Sequence, residues 1–201
     1  MTQPPSDRPK SATPKPASPK FARSVPEGDD RERSICADCG FVDYENPKIV
    51  VGAVATIAGP DEERILLCRR AIAPRPGFWT LPAGYLELNE SPALGAAREA
   101  WEEARAKLEI DQLLAIYAIE RISQVQLIYR ARLLDRAVSA GPESQEVGLF
   151  AWSDIPWDEL AFPSVEWALA HWHETRDQAA FAPRNNPSGE TGRMSGRFAV
   201  G

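Results

Sequence analysis

Apolar side chains are nearly absent from residues 1–30 and then arrive in blocks. The opening "MTQPPSDRPKSATPKPASPK" offers too little apolar surface to offset chain entropy, so a disordered Pro/Lys-rich tail is predicted for 1–30. "KIVVGAVATIA" (Lys48 to Ala58) is a near-continuous, β-branched apolar run and predicts a strand. "GPDEE" is its turn, and "RILLCRR" (Arg64 to Arg70) is its hairpin partner. The prolines of "APRPG" (73–77) stop both helix and ladder. "FWTLPAG" (78–84) predicts a short strand that ends in a turn.

Ser91 can cap a helix that has Pro92 at its first position. Leu94, Ala97, Trp101 and Ala104 then recur at spacings of three and four, which predicts the apolar face of that helix. "LLAIYAIER" and "VQLIYRARLL" predict two strands joined tightly at Ser123 and Gln124. "VGLFAW" predicts another strand, and "SDIPWDEL" a short capped turn. Pro163 opens a second helix, with Val165, Ala168, Leu169 and Trp172 on one face. Beyond Arg176 the pattern dissolves, which predicts a flexible tail over 177–201. Strands flanking a central helix, with a second helix near the end, give an α/β class: a mixed sheet with helices on its faces.

Composition narrows this picture. A chain of 201 residues with 43% hydrophobic content suits one domain with a substantial core plus tails. A formal net charge of -6 argues against nucleic-acid binding through the overall field. No apolar run is long enough to span a bilayer and no signal peptide is evident, so no membrane partner is expected and the expected location is cytoplasmic. The basic, acid-poor start leaves a plastid-type transit segment as an alternative, which its proline content disfavours. Three cysteines do not make a disulfide framework. Cys36 and Cys39 have the spacing of a zinc knuckle, but a structural zinc needs four ligands. Cys68 lies in an apolar strand and reads as core. His171 and His173, two apart on a helix, do not share a face and read as packing or surface residues.

The chemistry is concentrated on the first helix. Glu99, Glu102 and Glu103 fall at i, i+3 and i+4, within one arc of the helix surface. Like charges at this spacing repel, and they sit toward the helix end where the dipole also disfavours anions. A solvated acidic face is the plain explanation. The alternative is that "PAGYLE", with its glycine, folds back against the helix. Carboxylates converging with a backbone carbonyl would then make an oxygen-rich site suited to Mg²⁺ or Mn²⁺.

Gly84, five residues, Glu90, seven residues and then "REAWEEARA" (Arg98 to Ala106) resemble the Nudix box, Gly-x5-Glu-x7-Arg-Glu-U-x-Glu-Glu-x-Gly-U, where U is apolar. The flanking "GFWTLPAGYLE" and "EVGLFAWSDIP" are also similar to the family, and the resemblance covers about 47–175. It implies a Nudix fold, a mixed sheet between helices, and metal-dependent hydrolysis of a nucleoside diphosphate linked to another moiety. It assigns Glu99, Glu102 and Glu103 as metal ligands, with Glu102 as ligand or base, and the carbonyl of Ala83 as a further ligand. Arg98 and Glu90 become a pair that braces helix against loop at Gly84. A base often comes from outside the box: Glu146 is the candidate, with Glu143 next. Arg69 and Arg70 can meet a phosphate. The box's last glycine is Arg105 here. Either Arg105 takes a left-handed conformation, or the helix runs on through "RAKLE".

Residues 25–52 are similar to the second half of a zinc ribbon that precedes some Nudix enzymes, described as FAD or ADP-ribose pyrophosphatases. The earlier cysteine pair is replaced by roughly "PKPA" (14–17), so a single chain is predicted not to hold a four-cysteine zinc. The expected organisation is a tail (1–30), a ribbon remnant (31–46), a Nudix domain (47–176) and a second tail (177–201). "ISQVQLIY" stands where related NADH pyrophosphatases have a "SQPWPFP"-like segment. The proline that marks many ADP-ribose hydrolases is missing near Arg121 and Ile122. "GFWTLPAGYLE", "GPES" and "LAFPS" resemble the FAD/ADP-ribose subgroup, so the expected substrate is an FAD- or ADP-ribose-like nucleotide. Trp79 and Phe78 read as core rather than stacking residues. The rival reading is a non-catalytic nucleotide-sensing Nudix module. A third is a nucleic-acid binder using the basic tail and knuckle. The family commonly dimerises, which leaves a homodimer open.

Overall fold

The computed structural model describes residues 20–198, which fall into two units that divide between Asn46 and Pro47. In the first unit, β1 (Phe21–Ser24), β2 (Arg33–Cys36) and β3 (Val42–Asp43) form an antiparallel sheet in that order. Thus β1 lies inside the stretch expected to be a disordered tail. All four of its residues are exposed, so no buried side chain marked it in the sequence; its order comes from pairing with β2. Cys36 is buried at the end of β2 and Cys39 is exposed in the following turn; both are free thiols. The turn closes with the Gly40 N–H donating to the Cys36 carbonyl at 2.9 Å. The "PKPA" stretch and the rest of 1–19 lie outside the described residues.

The second unit contains β4 (Lys48–Ala58), β5 (Glu63–Arg70), β6 (Trp79–Thr80), β7 (Ala83–Tyr85), α1 (Pro92–Ala104), β8 (Leu108–Ile119), β9 (Gln124–Leu133), β10 (Ser144–Phe150) and α2 (Pro163–Thr175). Five strands run in the order β10-β5-β4-β9-β8, while β6 pairs with β5 and β7 with β4. The β4–β9 pair is parallel, and the others are antiparallel. The sheet is therefore mixed and lies between the two helices.

Side-chain alternation divides the core between the two faces. Ala53, Ala55, Leu66 and Cys68 pack with Ala100 and Ala104 of α1. Val54, Ile65 and Leu67 pack with Val165, Leu169 and Trp172 of α2. Both faces of β4 are covered, which explains its unbroken apolar run. His171 contacts the buried Tyr117 hydroxyl at 2.8 Å, and His173 stacks on Trp152 at 4.0 Å. Among the described residues no helix is long and apolar enough to cross a membrane.

Helix α1 begins as its sequence predicts, with the Ser91 hydroxyl accepting the Leu94 N–H and Pro92 in the first turn. Its buried face matches the predicted one only at Ala104. Leu94 is 66% exposed and Trp101 45%, whereas Gly95, Ala96, Glu99, Ala100, Glu103 and Ala104 are buried. Small residues let the helix lie close to the sheet, and a hydrophobicity count does not register them. The helix stops at Ala104, and Arg105 takes φ 53°, ψ 23°. The box glycine's left-handed conformation is thus retained by arginine, at a cost of about 1 kcal/mol. Arg105→Gly is expected to raise stability by about that amount, read as a higher urea midpoint with an unchanged m-value.

Candidate active site

The acidic helix and the glycine loop meet because two glycines allow close approach. On β4, Gly52 faces Ala83, and a Cβ there would lie 2.5 Å from the Ala83 Cβ and 2.8 Å from the Pro82 carbonyl oxygen. Gly52 therefore lets β7 settle on β4. On β7, a Cβ at Gly84 would lie 2.3–2.5 Å from the three atoms of the Glu99 carboxylate. Gly84 is required by this approach and not by a positive φ.

Arg98 makes five side-chain hydrogen bonds, three of which join helix to loop. It grips Glu90 at 2.8 and 3.1 Å, the Tyr85 carbonyl at 3.0 Å, Glu99 at 2.7 Å and Glu102 at 2.9 Å. Glu90 in turn accepts the Glu87 N–H at 2.8 Å, and the Arg98 contact holds its carboxyl below the ordinary range. The bidentate grip fixes the guanidinium plane as well as its charge.

The three box glutamates differ in environment. Glu99 and Glu103 are each only 8% exposed, while the Glu102 side chain is half exposed. Burial raises Glu99, and Arg98 opposes that shift. Glu103 is pushed up to about 8, mainly by burial; the Ala83 N–H and Arg70 oppose, while Glu99 and Glu143 add repulsion. Among the described residues its side chain has one hydrogen bond, from that Ala83 N–H at 3.3 Å. Unlike Glu99, Glu103 forms no ion pair among the described residues. Ionising a buried carboxyl that has no ion-pair partner is costly.

The loop before β10 completes this corner. Ser139 N–H donates to the Ala104 carbonyl at 2.9 Å and Gly141 N–H to the Glu103 carbonyl at 2.8 Å, satisfying carbonyls that the helix end leaves free. A Cβ at Gly141 would lie 1.8 Å from the Glu102 carbonyl oxygen. This docking brings Glu143 close enough to act on Glu99, Glu103 and Arg70. Glu146, the expected base, stands elsewhere. It pairs with Arg69 at 3.6 Å and is exposed, because the strand register shifts between Ser144 and Glu146. The acid that reaches the corner is Glu143.

Strand alternation also separates the two arginines. Arg70 shares the α1-side parity of Leu66 and Cys68, and its guanidinium feels Glu103 and Glu143 while burial lowers its pKa. Arg69 points to the other face, where it donates to the Gly77 carbonyl at 2.8 Å and pairs with Glu146 and Glu159. Of the two expected phosphate contacts, the structure brings only Arg70 to the acidic corner. Trp79 is buried against Phe150.

Among the described residues no three His, Cys, Asp or Glu side chains converge at ligating distance. Arg98 draws Glu99 and Glu102 to itself, and Glu103 rests on the Ala83 amide. The donor chemistry nevertheless fits a hard divalent cation, since the carboxyl oxygens of Glu99 and Glu103 are buried together and Glu103 has no ion pair among the described residues.

The pattern described as the NUDIX domain matches residues 48–175. The chain belongs to the Nudix family of hydrolases. A second family pattern, the zinc ribbon described as Nudix N-terminal, matches residues 18–45. The fold is similar to that of a NUDIX hydrolase from Nitrosomonas europaea, at 42% identity and TM-score 0.77, over 85% of this chain and 96% of that one. A MutT-like protein of Streptomyces ambofaciens is 37% identical over 43% of this Nudix chain. The alignment spans about half, 54%, of that relative's length. An ADP-ribose pyrophosphatase of Methanocaldococcus jannaschii is 24% identical over 59% of this chain and 69% of its own.

Proposed function

We propose that this Nudix protein hydrolyses the pyrophosphate bond of a nucleoside diphosphate linked to another moiety, an FAD- or ADP-ribose-like small molecule. The products are AMP plus FMN or ribose 5-phosphate. The observation that carries the reading is the buried Glu99–Glu103 edge of α1, closed against Gly84. Similarity to the ADP-ribose pyrophosphatase supports the substrate class, and the sequence resemblance to the FAD/ADP-ribose subgroup supports the two named candidates.

Glu99, Glu102, Glu103 and the Ala83 carbonyl would hold Mg²⁺ or Mn²⁺. Bound there, such an ion polarises a phosphoryl oxygen and acidifies an attacking water. Arg98 and Glu90 orient the ligating carboxylates. Arg70 meets a phosphate oxygen of the substrate. Glu143 accepts the proton of the water whose oxygen bonds to phosphorus while the bridging P–O bond breaks.

The test is turnover with Mg²⁺ or Mn²⁺ and, in separate reactions, FAD, ADP-ribose, NADH and a diadenosine polyphosphate, with products resolved by chromatography. Release of AMP with FMN or ribose 5-phosphate supports the reading. Tight nucleotide binding without cleavage of any of the four would replace it with a sensor module.

A further inference from the structure

The stretch expected to be a flexible C-terminal tail instead forms a strap on the second unit. Arg184 N–H donates to the Leu114 carbonyl at 2.8 Å, and Ile116 N–H to the Arg184 carbonyl at 2.9 Å. The Asn186 side-chain amide then pairs with both the N–H and the carbonyl of Ala118, each at 2.9 Å. The edge of β8 is covered in this way. Gly192, at φ 72°, lies against Ile119. Met194 and Phe198 pack into the α2-side core, and Arg197 pairs with Glu166 at 2.5 Å.

The far end of the strap meets the 71–78 loop. Arg75 Nη1 donates to the Phe198 carbonyl at 3.1 Å, and the guanidinium lies 3.7 Å over the Phe78 ring. Its Nε and Nη2 are buried without a hydrogen-bond partner among the described residues. The Phe198 carbonyl is therefore the polar anchor of this side chain. Arg75 also sits at φ 65°, a region that residues other than glycine avoid unless tertiary contacts hold them there. The same loop clasps Arg70: Arg70 Nε donates to the Pro74 carbonyl at 2.7 Å, and Nη2 to those of Ala73 and Ile72 at 3.3 and 3.5 Å.

We propose that the C-terminal strap is a positioning element for the phosphate-binding side of the site: Phe198, through Arg75, fixes the 72–77 loop, and the loop fixes the Arg70 guanidinium. This rests on the reading of Arg70 as a substrate contact. A loosened loop leaves the carboxylates of α1 in place but lets Arg70 sample other directions. The loss therefore falls on substrate capture more than on the chemical step.

Arg75→Ala, Phe198→Ala and their combination, made in the full chain, test the coupling by hydrogen exchange and kinetics. Amides of 71–78 are expected to exchange about tenfold faster in each single variant, with α1 amides unchanged. The double variant should go no further, since both act along one path. KM for the cleaved nucleotide should rise about tenfold with kcat held within about twofold, and Phe198→Leu, which keeps an apolar anchor, should restore both readouts. Faster exchange of 184–198 with 71–78 at the wild-type rate would overturn the proposal. So would a loosened loop with unchanged KM. If Phe198→Ala fails to fold, Arg75→Ala and Phe198→Leu carry the same decision. If the wild type cleaves none of the nucleotides, exchange still decides the strap–loop coupling, and the hydrolase reading fails separately.

Discussion

Replacing Glu103 with glutamine is expected to lower kcat about a thousandfold and, in the metal-free protein, to raise stability at pH 8. The two effects share a cause. Glu103 is buried beside Glu99 and Glu143 with one amide donor, an environment that suits the proposed cation ligand and makes the ionised carboxyl a poor resident without one. Its carboxyl is pushed up to about 8 from an ordinary 4.5. Below pH 4.5 both folded and unfolded chains hold the proton, and the penalty is absent. Between 4.5 and 8 the unfolded chain ionises while the folded one does not, so stability falls as pH rises. The loss is on the order of a few kcal/mol and levels off above 8. Glutamine removes this slope, leaving the smaller contribution of Glu99. Urea unfolding of the two metal-free proteins at pH 5 and pH 8 reads it directly. Added Mg²⁺ or Mn²⁺ should recover stability in the wild type at pH 8 and much less in Glu103→Gln. A variant that stays no more stable than wild type at pH 8 would remove the uncompensated charge from the account of the site.

Burial of acids at this corner also limits what could be read in the sequence. The extents of β4 and α2 follow from long apolar or periodic runs, and the start of α1 from Ser91 and Pro92. The box spacing placed Glu99 and Glu103 on one side of α1. The buried face of α1, apart from Ala104, was missed because Gly95, Ala96 and Ala100 carry little hydrophobic signal and two of its members are acids. Leu94 and Trp101 dominate any apolar count, yet they face solvent. That Arg70 and not Arg69 faces the glutamates was available in principle, since alternation from Leu66 and Cys68 fixes it. That Glu146 turns toward Arg69 was not, because a register shift at Ser144 decides it. The C-terminal strap is held largely by backbone and amide contacts, with few apolar anchors, and leaves almost no trace in a hydrophobic pattern.

Gly84→Ala is expected to reduce kcat/KM about a hundredfold while leaving the fold nearly as stable as wild type. A methyl at this position would fall within 2.5 Å of every atom of the Glu99 carboxylate. That neighbour is the end of a side chain, so it moves and the β7–β4 pairing stays. No left-handed conformation is lost, because Gly84 does not use one. What changes is where Glu99 can point, and Arg98, bonded to it at 2.7 Å, follows. Because Glu90 and Glu102 share that guanidinium, the disturbance spreads through the ligand set without entering the core. Metal affinity, measured by Mn²⁺ titration, should fall by a similar factor, and the urea midpoint should shift by less than about 1 kcal/mol equivalent. Adding Glu99→Gln to Gly84→Ala should cost little more, since the alanine has already displaced the same carboxylate. Activity within threefold of wild type in Gly84→Ala would mean that Glu99 works from a different direction, and that the glycine of the box serves the loop rather than the ligand.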